Sequence, residues 1–537
     1  MDSSNTLFHI PDCVNEIIYY LIDDRKALFS CALVNRLWCR AVIPLLWRNV
    51  FNNHLFHNNI EIKIIHTYIK CLPEIQKLTL IKQNINLQDF KPALFDYPKY
   101  LRVLNCLNFD NALYSWFNAT IKLSFDITEY QNTFLHCNQI ISQYILSHST
   151  GLNALHLSYH YTPNRSCFMH FPLDPSVKEI WHAFSELTEL HINFPVNTLN
   201  ISLLYEKLSL YSHNIQKLNI TSPGTHLFCQ PEICKHLFQL INSQRNLRSL
   251  SVFFSWPNSQ SPLFFSALSN QFHSLRHLEI TDFYDIPLLI TSYLSSFNLD
   301  TLKLIYCYKL NLQIDPGPLP FISPGSQFQI KNLIISGAHY SALNPFFSLI
   351  IKITGSNLQK IFFNGCDIAL INTIAEYNTN LTYLSTIINY SIFDNFLEAL
   401  SKLKKLKYLE IKKLRNDKKK FTNRMISQFA KSIPNTLEEL NFNLKTARHI
   451  FENDLNLTDQ GHLYIFLKDC NIPLSKLTVH MYELNNDSLN FLIDYAVRFG
   501  GSLKELRYDA EGRFTRDVLL KAEKVIPFIT DITEDMY

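Results

Sequence analysis

The amino-acid sequence predicts an α/β solenoid: a curved repeat array with one parallel sheet on its concave face, preceded by a small three-helix module. Three observations predict it. A six-residue apolar pattern recurs along most of the chain. Helical periodicity fills the intervals between recurrences. Residues 8–50 break the pattern and carry three short helical stretches instead.

The recurring pattern is apolar-x-x-apolar-x-apolar, most often L-x-x-L-x-[LIV]. Its first residue is Ile75, Leu101, Leu152, Leu187, Ile215, Leu247, Leu275, Leu299, Ile330, Leu358, Leu381, Leu406, Leu437, Leu474 and Leu503. The mean spacing is about 31 residues, within the range of known repeat architectures. The long interval from Leu101 to Leu152 leaves room for a degenerate unit near Ile121 and Leu123. The alternating part, as in Leu250-x-Val252, Leu278-x-Ile280 and Leu409-x-Ile411, has the period of a short strand buried on one face. A small or polar residue suited to a turn precedes many motifs: Asn214, Asn246, Ser274, Asn298, Asn357, Asn380, Thr436 and Ser502. Between strands the spacing turns helical, with Phe393, Phe396, Leu397, Leu400 and Leu403 forming one stripe. A strand-plus-helix unit of this size cannot bury its own apolar face, so the units must stack. An ordinary α/β protein with many strand–helix pairs is the alternative.

The pattern resembles the leucine-rich-repeat family, in particular its cysteine-containing subclass. Two units, Leu299 to Cys307 and Leu358 to Cys366, extend to the fuller form L-x-x-L-x-L-x-x-[NC]. The resemblance implies that this Cys lies inside the turn and satisfies backbone groups of neighbouring coils. It covers residues 60–510, about 15 units, and leaves 511–537 as a C-terminal cap.

The N-terminal module, 8–50, carries helical patterns over about 12–21 and 25–34 and a third from about Arg36. Pro11 stands at the first helix start, where its missing N–H costs little. Pro44 is expected to end or kink the third helix. Three helices this short leave an apolar face that must dock on something. Ile10-Pro11, Val14, Ile18, Leu28, the stretch Ser30-Cys31-Ala32-Leu33-Val34-Asn35-Arg36-Leu37-Trp38 and Leu46-Trp47 resemble the F-box family. Departures are Ile10 for the usual Leu and Cys13 where an acidic residue is common. The resemblance implies docking on a Skp-type adaptor, and through it a cullin, with Ile10, Pro11, Val14, Ile18, Leu28, Leu33, Val34 and Trp38 at the contact. The same residues also serve as a core for the module itself.

Composition narrows the function. There are 11 glycines in 537 residues, far below the usual ~7%, and neither G-x-G-x-x-G nor G-x-x-x-x-G-K-[ST] occurs. Nucleotide enzymes of those two kinds are therefore disfavoured. A net charge of +3 predicts no general attraction to nucleic acid or to a membrane. Twelve scattered cysteines without C-x-x-C, no apolar leader in residues 1–10 and no long apolar span predict a cytoplasmic and/or nuclear protein with free thiols. Cys229, Cys234 and His236 lack the second pair that a zinc site needs. His156 and His160 lack the following Glu of H-E-x-x-H. The basic run from Lys402 to Lys420 reads as a solvated helix face and loop. The proline- and glycine-rich stretch from Pro316 to Gly325 reads as a connector.

Third and fifth motif positions point toward any partner of the sheet. In the middle units these are Asn332/Ile334, Lys360/Phe362, Tyr383/Ser385 and Tyr408/Glu410. Ile334, Phe362, Tyr383 and Tyr408 form the expected client-binding patch. Slippage of register between irregular repeats is the alternative, and would bury some of them. With the resemblances, the chain reads as a non-catalytic substrate receptor of an SCF-type cullin–RING ubiquitin ligase, with no catalytic residue, cofactor or metal. The alternative is a leucine-rich-repeat scaffold whose helical N-terminus merely caps the array, without a ubiquitin role. An enzyme with a site at the repeat ends is a third class.

Overall fold

The computed structural model describes residues 11–51, 60–87, 92–121, 127–158, 178–193, 199–221, 231–253, 261–281, 297–305, 328–336, 344–364, 368–413, 421–443, 459–511 and 514–532. It comprises two compact units, Met1–Ser274 and Leu275–Tyr537. Each contains a stretch of α/β solenoid, with parallel strands laid side by side in chain order.

The first unit opens with the helices α1 (Pro11–Tyr20), α2 (Arg25–Ala32) and α3 (Arg36–Arg48), close to the predicted bounds. Asp24 caps α2 by accepting from Ala27 N at 3.0 Å, and Asn35 caps α3 by accepting from Trp38 N at 3.0 Å. Pro44 does not end α3, which runs on to Arg48. Trp38 and Val42 hold the helix by burial, and the Arg25 guanidinium closes its far end by donating to Leu46 O and Asn49 O at 3.1 and 2.9 Å.

Next come α4 (Ile60–Cys71) and α5 (Glu74–Lys82). Ile75 was expected to begin the first repeat strand, but it lies exposed on α5. Ile75-x-x-Leu78-x-Leu80 fits the six-residue pattern, but its first interval of three also suits a helix. The interval expected to hide a degenerate unit contains α6 (Cys106–Thr120) and α7 (Ile127–His148). Ile121 forms only an isolated antiparallel bridge with Ile85, and Leu123 lies outside the described residues. The strands β1 (Val103–Asn105), β2 (Ala154–Ser158), β3 (Glu189–Asn193), β4 (Lys217–Thr221) and β5 (Ser249–Phe253) pair parallel in that order.

The second unit continues with β6 (His277–Thr281), β7 (Thr301–Ile305), β8 (Asn332–Ser336), β9 (Lys360–Phe363) and β10 (Tyr383–Ile388). Then follow β11 (Tyr408–Lys413), β12 (Glu439–Asn443), β13 (Lys476–Glu483), β14 (Glu505–Glu511) and β15 (Phe528–Asp531). All pair parallel, each with the next. From β1 to β14, every strand begins two residues after the first residue of its motif, as Leu406 precedes Tyr408. β15 falls in the stretch expected to be a cap. Its motif, Ile526-x-x-Ile529-x-Asp531, carries an acid in the last apolar slot and so escapes the pattern.

The register is fixed by a repeated backbone contact. Lys407 N and Tyr408 N both donate to Thr382 O, at 2.9 and 3.0 Å. Thr382 N and Tyr383 N donate likewise to Gln359 O, and Glu438 N and Glu439 N to Lys407 O. In the first unit, Asn153 N and Ala154 N share Arg102 O, while Arg102 N itself donates to Arg48 O at 2.9 Å. The end of α3 thus stands where a preceding coil would be. Buried amides satisfy the turns. Gln244 accepts from Ile215 N at 3.0 Å and donates to Ser212 O at 2.8 Å, and Gln271 accepts from Leu247 N. Asn378 donates to Gly355 O at 2.6 Å, and, from the surface, the Thr436 hydroxyl donates to Leu406 O at 2.8 Å. These residues do what the family resemblance assigns to Cys307 and Cys366, both of which lie outside the described residues.

One acid is expected to make the stability of the first unit pH-dependent. Asp110 on α6 lines a small cavity with Leu104, Phe109, Ile145 and Leu146. Asn138 on α7 donates to Asp110 Oδ1 at 3.2 Å, while its own buried Oδ1 has no partner. Burial pushes the Asp110 carboxyl up to about 7, against the bond from Asn138. A protonated carboxyl can donate back to Asn138 Oδ1 and close a two-bond pair. A raised value in the folded chain means that folding favours the proton. The stability from this group is full below the ordinary carboxylate range, near ~4, and is lost as pH rises toward about 7. Asp110→Asn keeps a neutral donor at every pH. Thermal melts from pH 4.5 to 8 are expected to show the variant gaining on the wild type as pH rises; parallel Tm curves would contradict this.

Candidate protein-interaction site

The strands of the second unit alternate buried and outward residues, so the third and fifth motif positions share the outward face. Ile334, Phe362, Tyr383 and Tyr408 all lie on it, half-buried. The alternative of slipped registers does not hold for them. They form two short rows in place of a single file. Ile334 stands opposite Phe362 in one row, and Tyr383 opposite Tyr408 in the next. The tyrosine rings stack with centroids 4.1 Å apart and planes 3° from parallel. Burial first, then each other's presence and nearby carboxylates, raise the Tyr383 hydroxyl above the ordinary tyrosine range; burial also raises Tyr408.

A polar cluster completes the row of Phe362. Ser385 Oγ donates to Glu410 Oε2 at 2.5 Å, and Asn441 Nδ2 donates to Glu410 Oε1 at 3.2 Å. Lys412 Nζ lies 3.0 Å from Glu410 Oε1 and 5.4 Å from the centre of the Phe362 ring. Glu410, nearly buried, is therefore neutralised within the face. Sequence reading placed Ser385 and Glu410 outward but did not foresee this cluster, because it joins residues about one repeat apart.

The helical module divides its candidates. Val14, Ile18, Leu28 and Trp38 were expected at a partner contact but form the module's own core with Val42. Partly buried Leu21, Leu37, Leu45 and Leu46 pack around them. Leu33 and Val34 are 73% and 61% exposed. Tyr19, Tyr20 and Phe29 are also exposed large apolar residues on the module. Pro11 begins α1, and Ile10 lies outside the described residues. The closing Trp47 packs on Tyr97 and Tyr68, with centroids 4.2 and 5.2 Å away.

In the first unit His156 and His191 face each other across β2 and β3, with rings 4.5 Å apart and 14° from parallel. Glu189 Oε2 lies 3.5 Å from His191 Nε2 and 3.8 Å from Lys217 Nζ. Sequence reading weighed His156 with His160, four residues on; the partner is instead one repeat away, and His160 lies outside the described residues. Parallel stacked rings aim their nitrogen lone pairs alongside each other, away from a shared ion. Among the described residues no group of three or more His, Cys, Asp or Glu is placed to hold a metal, and no helix is long and apolar enough to cross a membrane. Cys234 is buried, and Cys229 lies outside the described residues.

No family model and no curated relative matches the chain. Solved structures similar to it include yeast Rad7 in complex with Elc1, at 15% identity and a TM-score of 0.38, covering 66% of this chain and 81% of that one. TLR13 in complex with ssRNA13 follows at 12% identity and 0.32, covering 71% of this chain and 46% of its own. LegL7 from Legionella pneumophila, a leucine-rich-repeat-containing protein, matches at 13% identity and 0.25, covering 72% and 93%.

The histidine pair yields a pH prediction. Burial, then the neighbouring His191, lowers the proton affinity of His156; burial, then Lys217, lowers that of His191. The unfolded chain takes up these protons first. Stability is therefore lost as pH falls through the ordinary histidine range near ~6.5. His156→Asn combined with His191→Asn is expected to lose less Tm than the wild type between pH 7.5 and 5.5, and an equal loss in both would contradict it.

Proposed function

We propose that this chain is a non-catalytic, protein-binding solenoid whose helical module docks a Skp-type adaptor and whose outward strand face holds a client for ubiquitin transfer. The observation that carries the reading is the division of the module. Its core is complete, yet Leu33 and Val34, within the stretch that resembles the F-box family, stay in solvent. Exposed apolar side chains clustered on one short module mark a surface meant for a partner. The chain then works by proximity, with one end holding the ligase, the strand face holding the client and other subunits performing the chemistry. The second half of the reading rests on the half-buried aromatic rows of Ile334, Phe362, Tyr383 and Tyr408.

A specific contact favours a second reading, in which the module only caps the array. Arg102 N donates to Arg48 O, and Trp47 seats on Tyr97, as a cap requires. One experiment separates the two. Purified chain is tested for capture of a purified Skp-type adaptor, comparing wild type with Leu33→Asp combined with Val34→Asp. Because both side chains are exposed, the variant is expected to keep its melting temperature within about 2 °C. Loss of capture at least tenfold with the fold intact supports the ligase reading. Absence of capture by the wild type sinks it and leaves the scaffold.

A further inference from the structure

We propose that the row Lys360–Tyr383–Tyr408–Glu439 is a charge-polarised site for one extended protein segment. That segment carries an acidic residue at the Lys360 end, a basic residue at the Glu439 end and an apolar or aromatic anchor between them. The inference rests on the reading above, that the strand face holds a client.

The four residues stand in register on four consecutive strands: Lys360 opposite Tyr383, Tyr383 opposite Tyr408, Tyr408 opposite Glu439. Lys360 Nζ lies 6.0 Å from the centre of the Tyr383 ring, on one flank of the stacked pair. Glu439 flanks the other side. Neither has an ion-pair partner among the described residues, unlike their neighbours. Lys407 is paired with Glu438 at 2.7 Å, Lys412 with Glu410, and Lys476 with Glu505 at 3.1 Å. Lys476 stands opposite Glu439 further along the row, but its ammonium is committed to Glu505. The aromatic step is thus flanked by one charge of each sign, neither of them in an ion pair among the described residues.

Strand spacing sets the length of the ligand. Three intervals of ~4.8 Å separate the charges by about 14 Å, which an extended chain at ~3.3 Å per residue spans in about four residues. A segment lying across the strands, acidic at one position and basic about four further on, meets both charges while its middle residues cover the tyrosines. Charge complementarity of this kind fixes direction and register more than it adds affinity. A nucleic acid is disfavoured, since Glu439 repels a phosphate backbone at one end of the row.

The test uses the full chain and a displayed library of random twelve-residue peptides. Selected peptides are expected to place Asp or Glu about four residues from Lys or Arg, around an apolar or aromatic residue. Binding of the best peptide is then measured by fluorescence anisotropy. Lys360→Glu and Glu439→Lys are each expected to weaken it about tenfold, and the double variant to prefer the same peptide with its two charges exchanged. Circular dichroism checks that each variant folds. If Tyr383→Ala with Tyr408→Ala leaves binding unchanged, the client-face reading fails. If that pair abolishes binding but neither charge variant alters it, the face survives and the polarity inference falls. Binding of a labelled single-stranded DNA 20-mer that Lys360→Glu weakens would also overturn it, in favour of a nucleic acid. An empty selection counts against both.

Discussion

The structure depends on one backbone carbonyl per repeat receiving two N–H groups from the next coil. The carbonyl of the residue just before each strand, such as Thr382 before β10, binds the two amides that open the following strand. That contact sets the strands parallel and equal in register, and it recurs in both units. Once the register is fixed, the first, fourth and sixth residues of each motif turn to the core and the third and fifth to the surface. Leucines at those core positions, such as Leu406 and Leu409, are then fully buried, while third and fifth positions line up across strands as continuous rows.

Much of this was legible from the motif itself. Its first leucine fixed the start of each strand from β1 to β14, because an apolar residue entering the turn must be followed by alternation. The motif failed where six residues carry too little information. Ile75 begins a string that folds as the helix α5, with Leu80 buried and Ile75 and Leu78 left in solvent. Ile526 begins a true strand that the acid at Asp531 conceals. The outward direction of Ile334, Phe362, Tyr383 and Tyr408 was also legible, since it follows from period alone. The stacking of Tyr383 on Tyr408, the neutralisation of Glu410 and the pairing of His156 with His191 were not. Each joins residues a full repeat apart, and unequal repeat lengths hide such neighbours from a linear reading.

The helical module shows how one short element serves two surfaces. Its inner faces close on Val14, Ile18, Leu28, Trp38 and Val42, which is why the sequence could not tell core from contact among those positions. Its last helix survives Pro44 and delivers Arg48 O to the first repeat. Leu33 and Val34 fall on neither surface.

The in-register parallel row is most directly tested by pulsed dipolar spectroscopy within the second unit. One spin label is fixed at Asp300, and the other is moved from Lys407 to Glu438 to Ser475, each just before a successive strand. The account predicts three narrow distributions whose centres lengthen by about 5 Å at each step. Distances that fail to rise in that order, or distributions spread over tens of ångströms, would contradict it.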